Sequence, residues 1–70
     1  MNNFHYRLKE LRRESNKSLK QLSEETGISF RTIQSYELQD RTPAVIDILI
    51  ALADYFDVTL DYLVGRSDDR

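Results

Sequence analysis

Between Ser29 and Ser35 the chain carries Ser29, Phe30, Arg31, Thr32, Gln34 and Ser35 within seven positions. Their chemistry suits the edges of nucleic-acid bases. A guanidinium can donate two parallel hydrogen bonds to O6 and N7 of guanine. A carboxamide can pair in the same way with adenine, hydroxyls serve base or phosphate, and a phenyl ring can meet a thymine methyl. The same side chains would equally make a solvated helix face, and Phe30 could fold back onto Leu19. Ser18, Lys20 and Arg41 are candidates for phosphate oxygens, whereas Arg7, Arg12, Arg13 and Lys17 read first as surface charge.

Other chemistries find no footing. There is no cysteine, so thiolate metal sites, cysteine nucleophiles and disulfides are excluded. His5 stands alone near a terminus and reads as a surface histidine. Asp54, Asp57 and Asp61 lack the dense oxygen ligands of a calcium loop and read as a solvated acidic face. No nucleophile–base pairing or glycine-rich phosphate loop is present, so neither an enzyme nor a cofactor, metal or small-molecule substrate is expected. No apolar run approaches the roughly 20 residues that span a bilayer. The first residues show no signal-peptide pattern, and a cytoplasmic protein is expected.

The net charge of −2 runs against a nucleic-acid partner, but its distribution does not. Residues 1–41 hold eight basic and six acidic side chains; residues 42–70 hold two basic and six acidic. A basic first part can face phosphate while an acidic second part faces away.

The elements that must position these residues are helical. Phe4, Leu8 and Leu11 recur at i, i+4 and i+7, one face of an amphipathic helix for which Asn3 is the candidate N-cap. The polar stretch 14–17 ends it. Ser18 with Gln21 forms a capping box opening a second helix, whose apolar side is Leu19 and Leu22. Gly27 closes that helix, since glycine takes the left-handed conformation without a Cβ penalty. Ser29 is the candidate N-cap of a third helix, about Ser29 to Glu37, with Ile33 and Tyr36 inward. Pro43 suits the first turn of a fourth. That helix carries two apolar stripes, Ile46, Leu49, Ile50, Ala53 and Phe56, then Val45, Ile48, Leu52 and Tyr55. Asp57 and Val58 form a joint, Thr59 caps a final short helix and Gly65 stops it. The expectation is an all-α, compact five-helix bundle over residues 1–66, with 67–70 a frayed tail.

Two helices joined by a short turn containing glycine make a helix-turn-helix. Small Ser23 lets the two approach, Gly27 turns the chain, Ile28 anchors the turn, and Ile33 and Tyr36 pin the third helix so that Phe30, Arg31, Gln34 and Ser35 face outward. The stretches RLKELRRES, LKQLSEETGISFRTIQSYE and LIALADYFDVTLDYLVG cover nearly the whole chain and resemble the lambda-repressor-like helix-turn-helix family. The resemblance implies a five-helix bundle, sequence-specific binding to double-stranded DNA at a palindromic operator, a homodimer, and regulation of transcription, most often repression. It also implies a pair between Arg12 and Glu37. The sequence departs from the family at Leu19, where a glutamine is common, and at Leu38-Gln39-Asp40, where a basic loop is common.

Two apolar stripes on one helix exceed what so small a bundle can bury, and the family often pairs around its last helix. Leu60, Tyr62 and Leu63, with neighbouring fourth-helix residues, are therefore the expected dimer interface, with Tyr62 an exposed anchor. The alternative is a protein-interaction module of the same fold, an antitoxin or anti-repressor, which would lack salt-dependent binding to DNA.

Overall fold

The computed structural model describes residues 3–39 and 45–70. These form five helices and no strand: α1 (Phe4–Glu14), α2 (Leu19–Thr26), α3 (Phe30–Leu38), α4 (Ile46–Phe56) and α5 (Leu60–Leu63). The expected Pro43 in the first turn of the fourth helix lies outside the described residues. Among those described, no helix is long and apolar enough to cross a membrane.

The helices meet through their periodic apolar residues. Leu8 of α1, Leu22 of α2, Ile33 of α3, Leu52 of α4 and Leu63 of α5 are all fully buried. One side chain from each helix thus reaches the same centre. Phe4 closes the end of this core with its ring edge-on to Tyr36, centroids 5.8 Å apart. α1 packs on α3 and α5, α2 on α3 and α4, and α4 on α5.

The joints follow local chemistry. α1 ends with Asn16 in the left-handed region, φ 56°. The Lys17 N–H then donates to the Arg12 carbonyl at 3.2 Å and the Asn16 N–H to that of Arg13 at 3.1 Å, satisfying two carbonyls the helix leaves over. The capping box forms: Ser18 Oγ accepts from the Gln21 N–H at 3.0 Å, and Gln21 Oε1 accepts from the Ser18 N–H at 2.9 Å. Gly27 terminates α2 at φ 78°. At the far end, the Thr59 hydroxyl accepts from the Tyr62 N–H at 3.0 Å.

Several expectations are corrected. Asn3 precedes α1 but its side chain makes no capping bond. Its backbone, φ −103° and ψ 17°, lacks the extended geometry that aims a cap at the first turn. Ser29 precedes α3 and likewise makes no side-chain cap. α3 is entered instead through its turn, where the Ser23 hydroxyl donates to the Ile28 carbonyl at 2.6 Å.

The tail, expected to be frayed, lies against the bundle. Arg70 pairs bidentately with Glu14 of α1 at 2.7 and 2.9 Å, and its carbonyl accepts from the Thr59 N–H at 3.1 Å. Arg7 donates to the carbonyls of Tyr62 and Ser67 and to Asp68. The reversal is made by Gly65 at φ 85°, where a Cβ would lie 3.1 Å from both Cβ and N of Asn3.

That tail also removes Tyr62 from the surface. Its ring lies beneath the Arg7 guanidinium, 4.1 Å from the centroid, with Arg70 at 5.1 Å, and Tyr62 is only 6% exposed. Leu63 is core and Leu60 half-buried, so Tyr62 is no exposed anchor. The apolar excess of α4 emerges elsewhere. Leu49, Leu52 and Ala53 are buried, while Val45, Ile46 and Ile50 are 54%, 56% and 41% exposed. A straight helix presents one stripe to the core, and its first two turns carry apolar residues on more than one side.

Candidate nucleic-acid interface

The orientation of α3 follows from what it buries. Ile33, Tyr36 and Glu37 point into the bundle. Positions 31, 34 and 35 lie about 160°, 100° and 160° around the helix from Ile33, while Phe30 flanks the inward stripe, about 20° from Glu37. Phe30 is 42% exposed and Arg31 is exposed; Thr32, Gln34 and Ser35 are half-buried. Phe30 and Gln34 share one ridge at i, i+4, and Arg31 and Ser35 the next. Arg31, Thr32, Ser35 and Tyr36 line an open cleft of about 240 Å³. Arg31 makes no hydrogen bond or ion pair with any described residue, so its five donors remain for a partner.

Glu37 is a carboxylate inside a protein, 5% exposed. Such a group is tolerable only when paired and hydrogen-bonded. Arg12 of α1 supplies both: Nε donates to Oε2 at 2.6 Å and Nη2 to Oε1 at 2.9 Å. Nη1 donates to the Lys17 carbonyl at 2.9 Å. One guanidinium thus ties the C-terminal turn of α3 to α1 and to the α1–α2 joint. The hydrogen bond to Glu37 holds Arg12 above its ordinary pKa despite the opposing effect of burial. A bidentate contact fixes angle as well as distance, so this pair sets how α3 is tilted.

The other residues singled out from the sequence have diverse positions. Ser18 and Lys20 are exposed at the start of α2. The Ser18 oxygen is engaged as the helix cap, leaving its hydroxyl proton for an outside acceptor. Arg41 lies outside the described residues, as does Asp40. Arg7 is committed to the tail, with its side chain 13% exposed. Lys17 pairs with Glu25 at 3.2 Å, and that carboxylate also accepts from the Tyr55 hydroxyl. The Tyr55 bond first, then Lys17, lowers the Glu25 pKa. This Lys17–Glu25–Tyr55 group and the clamped tail were not legible from spacing, because their members are far apart in the chain and no periodic pattern marks them.

Residues 8–63 match the family model described as helix-turn-helix. Among curated proteins, an uncharacterized HTH-type transcriptional regulator, YobD, from Bacillus subtilis strain 168 is 36% identical over 63 residues. That alignment covers 90% of this chain and 55% of the relative. The HTH-type transcriptional regulator AnsR from the same organism is 41% identical over 64 residues, covering 91% of this chain and 54% of the relative. The chain thus spans about half the length of these relatives. No solved structure matches it.

Proposed function

Since the chain belongs to the lambda-repressor-like helix-turn-helix family, we propose that it is a sequence-specific DNA-binding regulator of transcription that lays α3 in the major groove. The observation that carries this is the contrast between the two sides of α3. Its inward side is locked by Ile33, Tyr36 and the Arg12–Glu37 pair, while its outward side offers exposed Phe30 and the uncommitted guanidinium of Arg31. A fixed helix with free donors is what base readout requires, because donors that must first reorganise lose affinity. Ser18, Lys20 and Ser29 would hold phosphate beside it, as would Arg41.

The proposal extends to a homodimer on a palindromic operator. One helix in one groove touches few base pairs, whereas two recognition helices about 34 Å apart read successive grooves. With Tyr62 and Leu63 inside the bundle, the proposed pairing surface is half-buried Leu60 with exposed Ile46 and Ile50 of α4 and Val45 just before it. Binding that occludes a promoter would repress in the cytoplasm with no further machinery. Selecting sites from a random DNA pool with the purified chain tests the proposal. Enrichment of a two-fold sequence, bound with affinity that falls steeply as salt rises, supports it. Failure to enrich any site, or salt-independent capture, refutes it.

A further inference from the structure

We propose that Phe30 makes recognition by α3 depend on a pyrimidine 5-methyl group, an inference that rests on the DNA reading above. Phe30 is the first residue of α3 and 42% exposed, although its ring is as apolar as those in the core. The inward stripe of α3 is already filled by Ile33, Tyr36 and Glu37. Nearby on the helix surface are polar side chains: Arg31 is exposed, and Gln34 and Ser35 are half-buried. A phenyl group left partly in water gains whenever a partner covers it.

The major-groove edge offers such a ring one apolar feature. Every base presents oxygen, nitrogen or an amino group there, and thymine alone adds a C5 methyl. Phe30 has no donor or acceptor, so it cannot distinguish the O4 of thymine from the N4 amino group of cytosine. It senses the methyl and nothing else. Thymine and 5-methylcytosine are therefore equivalent to this side chain, while uracil and unmodified cytosine are both deficient. Arg31 follows by a single helical step, a rise of about 1.5 Å against about 3.4 Å between bases. With the turn of about 100° between the two side chains, the guanine that Arg31 would take lies within a few base pairs of the methylated pyrimidine. Gln34, one turn along the Phe30 ridge, suits an adenine beyond. The recognised element combines a methylated pyrimidine with a nearby guanine, and methylation of cytosine at the Phe30 position would strengthen the site.

The test uses the full chain and its selected site, with each thymine replaced in turn by deoxyuridine. One replacement per half-site is expected to weaken binding about three- to tenfold, the loss of one buried methyl. At the same position, 5-methylcytosine is expected to bind tighter than cytosine by a similar factor. Phe30→Ala should abolish both differences and Phe30→Leu should keep them. Thermal unfolding of both variants should stay near wild type, because the side chain is not core. Equal affinity for every uracil-substituted site overturns the inference, as does Phe30→Ala retaining the wild-type methyl dependence. An absence of salt-dependent binding to any selected site instead overturns the DNA reading beneath it, and the inference with it.

Discussion

Removing Arg12 should damage this protein more than removing Arg12 and Glu37 together. The Glu37 carboxylate is 5% exposed and takes two of its hydrogen bonds from that guanidinium. In Arg12→Met it would be left buried without its cation, a loss of about 3–5 kcal/mol. The Lys17 carbonyl loses its Nη1 donor as well, adding about 1 kcal/mol. Glu37→Leu strands the guanidinium instead, but its side chain is 16% exposed and can recruit water, so the expected loss is about 2–3 kcal/mol. In the double variant Arg12→Met with Glu37→Leu neither charge remains, and a net loss of about 1–2 kcal/mol is expected. A chain of this length has a total stability of only about 4–10 kcal/mol. Arg12→Met should therefore show an unfolding midpoint lower by at least about 12 °C, and urea titrations of the four proteins give the coupling energy. If the two single losses sum to the double, or if Arg12→Met costs under about 1 kcal/mol, the pair does not hold α3 as argued.

The two glycines should differ. Gly27→Ala meets no neighbour within 4 Å, so only its left-handed φ opposes it, for about 1–2 kcal/mol; Gly65→Ala adds the approach to Asn3 at 3.1 Å and should cost more in the same urea assay. Glu14 lies below its ordinary pKa, chiefly through its hydrogen bonds to Arg70. Because the folded value is depressed, the clamp contributes fully above the unfolded carboxylate value and is lost as pH falls through the folded one. NMR titration of the Glu14 side chain should move up in Arg70→Ala, and an unmoved midpoint would remove the clamp. Arg31→Ala should weaken the selected site by about 1–3 kcal/mol and relax preference at one base, measured by repeating the site selection.

Local signals in this chain spoke for themselves. The capping box of Ser18 and Gln21, the left-handed Gly27, the Thr59 cap and the apolar spacing of α1 depend on residues three or four apart, so linear order contains them. All five helices followed from such patterns. Burying Ile33 and Tyr36 turns position 31 outward, while Phe30 is exposed on the flank of that stripe and Gln34 and Ser35 are half-buried. The Arg12–Glu37 pair was legible by resemblance alone, its partners being 25 positions apart. What only the tertiary structure decided is where surplus groups go. Tyr62 has the spacing of either an exposed anchor or a buried one. Its burial depends on Arg7, 55 positions earlier, and on a tail turned back at Gly65. The two apolar stripes of α4 looked equivalent along the chain, yet packing against α2 and α5 buried Leu49, Leu52 and Ala53 and left Val45, Ile46 and Ile50 in solvent. A periodic pattern states which residues share a face; which face finds a partner depends on distant segments arriving beside it, and no local spacing encodes that.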